Sequence, residues 1–325
     1  MRAPTEESIV DGNDWTSPAW RAAADQWVSE RLAARGTPVT GPIEQHRVRP
    51  WSVTHRAPTT AGWHWFKANT FGCRYEAPLA EALAAWAPEA VLPPVAVHAA
   101  RGWLLTADAG AILRETGRLE DWAAFVEEYA ELQRALAHKA EAMVALGVPD
   151  QRPSLLPELL GGLLEDPVVR AGLGTERVAA VEAVVPDVAE WCAELAADGV
   201  AASLQHDDLH DGNVFAGPYR FFDWGDASVA HPFGTLLVTL SSATYRFGLA
   251  PGDAELLRLR DAYLSGWSGG AAALRRSATL ACRVTRLSRA LSWWRALDRS
   301  ALPVADEWRS APAEWLAELT EPDVV

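Results

Sequence analysis

Two histidines, three aspartates and one asparagine crowd positions 206 to 213, HDDLHDGN, and two more acids follow in the run FFDWGD at 221 to 226. Carboxylates gathered beside apolar residues repel one another and resist leaving water unless a cation neutralises them. Leu204, Leu209, Val214 and Phe215 alternate with the polar residues, which sets the cluster against a core and not on a solvated turn. The donor types then discriminate between cations. His206, Asp208 and His210 form H-x-D-x-H, but a zinc site built on them would need further His or Cys ligands, and none follows at a suitable spacing. The oxygen donors Asp208, Asn213 and Asp223 suit magnesium, which keeps several waters and takes phosphate oxygens from a nucleotide. A lone lysine sharpens the picture: only Lys67 and Lys139 occur beside 27 arginines, and Lys67 ends the apolar, β-prone run GWHWFKA.

These residues need elements to hold them. Residues 15 to 35 carry Trp20, Ala24, Trp27 and Leu32 at near-helical spacing, with Gly36 as a stop, and predict a leading helix. The β-prone runs EQHRVRPW, SVTHRAP and GWHWFKA, the last two parted by TTAG, predict a three-stranded antiparallel meander. A helix over 76 to 86 and two strands, VAVHA and GWLLTA, complete the first 106 residues. Beyond DAG at 108 to 110 the pattern turns helical: 118 to 136, 154 to 164, 176 to 198, 233 to 246, 253 to 266, 270 to 298 and 305 to 319. The island from 203 to 225 interrupts them with two strand-like pieces, ASLQH and YRFFD.

Apolar residues make up 49% of the 325 and charged residues 22%, the balance of a globular protein large enough for two cores. Cys73, Cys192 and Cys282 are odd in number and far apart, so neither a disulfide framework nor a thiolate metal site is expected. The net charge of -14 argues against nucleic acid and anionic membranes as partners and favours a cationic small molecule. No apolar run reaches spanning length and the polar start lacks a signal-peptide core, so the expected location is cytoplasmic.

HDDLHDGN resembles the H-x-D-x-x-x-x-N catalytic loop of protein kinases and aminoglycoside phosphotransferases, and DWGD resembles the D-x-G metal-binding motif that follows it. The variant H-x-D-L-H-x-G-N is closer to the second group, and nearly the whole chain is similar to the aminoglycoside phosphotransferase and choline kinase-like family. That resemblance implies an α+β, bilobal, protein-kinase-like fold. Residues 1–107 would form a small nucleotide-binding lobe with an antiparallel sheet, and 108–325 a larger, mostly helical lobe with the catalytic loop and acceptor site. It implies that Lys67 holds phosphates of ATP or GTP and that Glu76 pairs with it, Glu81 being the alternative. Backbone groups of about Thr106 to Asp108 would bond an adenine edge. Asp208 would be the catalytic base, His206 a brace for the loop, and Asn213 and Asp223 the magnesium ligands.

Three departures accompany the likeness. RPWSVTHRA has no glycine-rich phosphate loop, so Ser52 and neighbouring amides stand in for one. Asp207 and Asp211 occupy positions where the group often has glycine and proline, adding acid near the loop. Gly234 and Thr235 occupy a helix start where relatives commonly place an aspartate. The implied acceptor is a small-molecule hydroxyl, an aminoglycoside or amino-sugar; choline, homoserine, fructosamine and macrolide kinases share the scaffold, and a catalytically silent nucleotide binder is a further reading.

Overall fold

The structure, a computed structural model, describes residues 14–297 and 302–323. Contacts divide the chain into two compact units, Met1–Gly110 with Arg295–Ala305, and Ala111–Trp294 with Asp306–Val325. The sequence alone assigns 295–305 to the helical half. It clusters with the first unit because the Ala296 carbonyl accepts from Thr70 Oγ1 at 3.0 Å and Leu302 packs on that unit's core.

In the first unit α1 (Pro18–Ala34) buries Trp20, Ala24, Val28 and Leu32, a four-residue repeat along one face. Val28, not Trp27, completes the stripe, and Trp27 lies partly buried beside it against Phe66 and Trp103. This face packs on a five-stranded antiparallel sheet made of β1 (Glu44–Val48), β2 (Ser52–Thr59), β3 (Gly62–Asn69), β4 (Pro94–His98) and β5 (Trp103–Ala107). The first three strands form the expected meander, but the order is β1-β2-β3-β5-β4, with β5 inserted beside β3. Side chains alternate along a strand. Since Phe66 and Ala68 join the core under α1, Lys67 points to the opposite face, with Thr54 and Leu104 as its cross-strand neighbours. The helix α2 (Glu76–Trp86) follows β3 after a short turn.

The second unit is mainly helical. The helices α3 (Leu119–Leu136), α4 (Leu156–Glu165) and α5 (Pro167–Ala197) come first. The first stretch of α5, capped by Asp166 accepting from the Val168 and Val169 amides, ends at Gly174, at φ 72°, and beyond that kink the helix runs much as expected from 176. The island holds four short strands instead of two: β6 (Ser203–His206), β7 (Val214–Phe215), β8 (Arg220–Phe221) and β9 (Ala227–Ala230). β6 pairs with β9, and β7 with β8. The helices α6 (Leu236–Phe247), α7 (Ala254–Leu264), α8 (Ala271–Leu297) and α9 (Ala311–Ala317) follow. All three cysteines are buried and form no disulfide, and burial pushes the Cys192 and Cys282 thiols up to about 12, which keeps those two protonated and inert. Among the described residues no helix is long and apolar enough to cross a membrane.

Candidate active site

On the β3 face away from α1, Lys67 Nζ lies 2.6 Å from Glu76 Oε2. Glu76 is 1% exposed at the first turn of α2, where the helix dipole favours a carboxylate, and it also accepts from Asn69 Nδ2 at 2.5 Å. Of the two candidates it is therefore Glu76 that meets the lysine, while Glu81 is exposed. Ser52 stands opposite Asn69 in the sheet, so it shares the Lys67 face, and it is buried. Thr106 faces Pro94 across β4 and β5, and a proline has no N–H to give it. Asp108 is more committed than the sequence implies. Its amide donates to the Trp63 carbonyl at 2.9 Å, and its carboxylate accepts from Trp65 Nε1 and the Gly110 amide.

In the second unit the β7–β8 hairpin does the positioning. Val214 pairs with Phe221, so Asn213 and Asp223 flank the same end of one hairpin, joined by a Phe222 N–H bond to the Asn213 carbonyl. Asp223 adopts a left-handed backbone, φ 67° and ψ 58°, the only residue besides glycine at positive φ among those described. Aspartate tolerates that conformation at a small cost, and such strain concentrates where a side chain must be aimed. Asn213 Nδ2 donates to the Asp208 carbonyl at 2.9 Å and approaches Asp208 Oδ2 at 3.4 Å. This leaves Oδ1 turned out as an uncommitted oxygen. Asn213 Oδ1 and the Asp223 carboxylate are hard donors that would fit magnesium with phosphate oxygens completing its shell.

His206 is fully buried, and both of its ring nitrogens are occupied. Nε2 lies 3.0 Å from the Phe222 carbonyl and Nδ1 accepts the Asp208 amide at 3.2 Å, which defines the neutral Nε2–H tautomer. Burial lowers its pKa, partly opposed by the Phe222 carbonyl. With no lone pair left it ties the catalytic-type loop to the D-x-G segment and cannot serve as a metal ligand. No cluster of three or more His, Cys, Asp or Glu side chains that could hold a metal occurs among the described residues. Burial raises the Asp208 carboxyl, but the His210 hydrogen bond and the Arg289 charge outweigh it and bring it down to about 2. Asp208 is therefore an anion throughout the neutral range.

The additional acids are hydrogen-bonded or ion-paired inside the fold. Asp207 accepts from Gln205 Nε2 and from Ser228 Oγ. Asp211, 2% exposed, lies between Arg114 Nε at 3.0 Å and Arg246 Nε at 2.8 Å. Thr235 serves where an aspartate was expected: its hydroxyl accepts the His206 amide at 3.3 Å and meets Gln133 Nε2 at the same distance. Gln133 of α3 also donates to the Leu204 and Pro232 carbonyls and accepts from Tyr263, a buried polar hub beneath β6 that the helical pattern conceals.

Sequence reasoning also missed Arg289 and Asp226. Arg289 of α8 is 6% exposed; its Nη2 is 3.7 Å from Asp208 Oδ1 and its Nη1 is 3.5 Å from Asp226 Oδ2. Burial alone would lower its pKa, but Asp226 and Asp208 more than reverse that and hold it charged. Ser292, one turn on, donates to Asp226 Oδ1. The available signals were Arg289 at helical spacing between Thr285 and Ser292 and the second acid of DWGD.

Asp208 opens on a cavity of about 700 Å³ within this unit, lined also by Asp211, Arg114, Arg246 and Arg289. Another wall is one face of α6, Val238, Ser241, Ser242 and Tyr245, at i, i+3, i+4 and i+7, with Trp315 of α9 beside it. Glu127, Glu128 and Glu131 lie on the exposed face of α3.

Residues 23–274 match the model of the Phosphotransferase enzyme family, and the chain belongs to that family. Its fold is protein-kinase-like, and it is a phosphotransferase of that family. Among solved structures it is similar to a macrolide 2'-phosphotransferase from Brachybacterium faecium (17% identity, 93% of this chain and 98% of that one covered, TM-score 0.56). A choline/ethanolamine kinase family protein from Mesorhizobium loti aligns at 17% identity over 92% and 95%, TM-score 0.60, and a Plasmodium vivax ethanolamine kinase at 10% over 99% and 96%, TM-score 0.66. No curated protein matches the chain.

Proposed function

We propose that this protein transfers the γ-phosphoryl group of ATP or GTP, with magnesium, to a hydroxyl of a small molecule in the cytoplasm. The observation that carries the reading is Asp208: a carboxylate kept ionised, facing a substrate-sized cavity, on a loop braced by His206 and Asn213. Magnesium, when bound, neutralises phosphate charge and aligns the terminal phosphate. Asn213 Oδ1 and the Asp223 carboxylate are the residues that would hold it, and Lys67, itself fixed by Glu76, would hold phosphate oxygens. The unusual backbone at Asp223 supports its role. On the sheet side, the proline opposite Thr106 supports an adenine edge near the end of β5. The commitments of Asp108 narrow its part to the backbone carbonyl. Ser52, on the Lys67 face, supports contact with phosphate in place of a glycine-rich loop.

Asp208 accepts a hydrogen bond from the acceptor hydroxyl and orients its lone pair toward phosphorus. A carboxyl of pKa about 2 is a weak base, so it takes the proton late, as the bond from the acceptor oxygen to the γ-phosphorus forms. The bond from that phosphorus to the β,γ-bridging oxygen breaks, and the nucleoside diphosphate leaves with the electron pair. Positioning and charge neutralisation provide most of the acceleration. A silent nucleotide binder would have no need of the whole set Lys67, Asp208, Asn213 and Asp223. The test is Asp208→Asn: nucleotide affinity by calorimetry is expected to stay within about twofold, while acceptor-dependent ADP release falls roughly 10²–10⁴-fold, the range for a general base. A variant with unimpaired turnover refutes the assignment.

A further inference from the structure

We infer that the acceptor carries an oxyanion, a carboxylate or phosphate group, and is not a polyamine; this rests on the phosphotransfer reading. The cavity beside Asp208 is walled by three guanidinium groups against two carboxylates. Both carboxylates already face guanidinium groups. Asp211 has one arginine on each oxygen, Arg114 and Arg246, and Asp208 faces Arg289. The arginines are less fully engaged. Arg114 uses Nε on Asp211 and Nη2 on His210 Nδ1 at 3.0 Å, and Arg246 uses Nε on Asp211 and Nη2 on the Arg114 carbonyl at 2.8 Å. The Nη1 groups of both are uncommitted.

Arg289 adds an independent observation. Its side chain is 7% exposed, and its Nε and Nη1 are buried without a hydrogen-bond partner, although Asp226 and Asp208 lie close enough to balance the charge. A buried guanidinium with unmet donors is costly, and an oxyanion is the ligand its planar fork matches best. The remaining wall, Val238, Tyr245 and Trp315, would cover an apolar or sugar-like body. The net charge of -14 thus describes the outer surface, while the wall where the acceptor must sit has the opposite balance. The charge expected of the acceptor from composition is reversed by the site itself.

The experiment uses the full chain with magnesium and ATP and a matched set of hexoses: glucosamine, glucose, glucuronate and glucose 6-phosphate. ADP release gives kcat/KM for each, and calorimetry without nucleotide gives each affinity separately. Expected is a preference of at least tenfold for glucuronate or glucose 6-phosphate over glucose, with glucosamine weakest; whichever of the two leads tells a carboxylate from a phosphate. In Arg114→Gln the preference should fall toward one. Tightest binding of glucosamine, equal binding of all four, or no binding by any overturns the inference. Phosphorylation led by glucosamine overturns it while leaving phosphotransfer standing. Anion-selective binding with no ADP release from any member shows an oxyanion site beside Asp208 but overturns its assignment to the acceptor.

Discussion

A double-mutant cycle on Lys67 and Glu76 tests the proposed phosphate-holding pair of the first unit through stability. At 2.6 Å the pair attracts by about 6 kcal/mol at an effective dielectric of ~20, set against the desolvation of a glutamate that is 1% exposed. Lys67→Met leaves Glu76 buried with Asn69 as a remaining donor, and a loss of about 3 kcal/mol is expected, the low end for a broken buried pair. Glu76→Leu strands a lysine that is 17% exposed and can reach water, so about 1–2 kcal/mol is expected. The double variant replaces both charges with apolar groups and should lose less than the sum by about 2–3 kcal/mol. Urea unfolding followed by tryptophan fluorescence and by circular dichroism measures all four corners, and agreement of the two probes checks for separate transitions. Losses that add to within about 0.5 kcal/mol would refute the coupling, and with it the claim that Glu76 aims Lys67.

Asp208 should show no acid limb in the kcat/KM profile above pH 4, because its carboxyl is drawn down to about 2; Arg289→Gln removes one cause and should bring a limb up into view. For stability the sign is that of a depressed carboxyl: its contribution is present above the unfolded value of 3.8 and is lost as pH falls through about 2, which acid titration of unfolding reads. Asn213→Ala should raise the magnesium concentration needed for half-maximal rate by roughly tenfold or more while leaving Tm nearly unchanged, judged by metal titration and a thermal scan. Gly234→Ala would place a Cβ 2.1 Å from both Gln205 Oε1 and Thr285 Oγ1, and a loss of about 2–3 kcal/mol in urea unfolding is expected. An unchanged midpoint would show that these neighbours yield freely.

Local patterns carried much of this structure, and remote pairings carried the rest. The alternation in SVTHRAP and GWHWFKA made β2 and β3 readable, and the position of Lys67 between Phe66 and Ala68 already implied its face. Asp208, Asn213 and Asp223 stood out because acids and an amide crowd an apolar stretch. The insertion of β5 beside β3 was not legible, since strand order depends on contacts about forty residues apart, such as Phe66 with Leu105. β7 has two residues and no period to detect. Arg289 was hidden for a similar reason: nothing within α8 reveals that Asp208, eighty-one positions earlier, meets it. Net charge has the same limit, because a sum over the whole chain says nothing about which acids are already paired, as Asp211 is with Arg114 and Arg246.

Four of the cavity's positions recur along a single turn-by-turn ridge of α6, and none of them belongs to the loop that carries Asp208 or to the hairpin that holds Asn213 and Asp223. Choice of acceptor and capacity for chemistry can therefore diverge independently. A combinatorial library confined to positions 238, 241, 242 and 245 would resculpt what enters while sparing the machinery that reacts, so new alcohols could be recruited without rebuilding the catalyst.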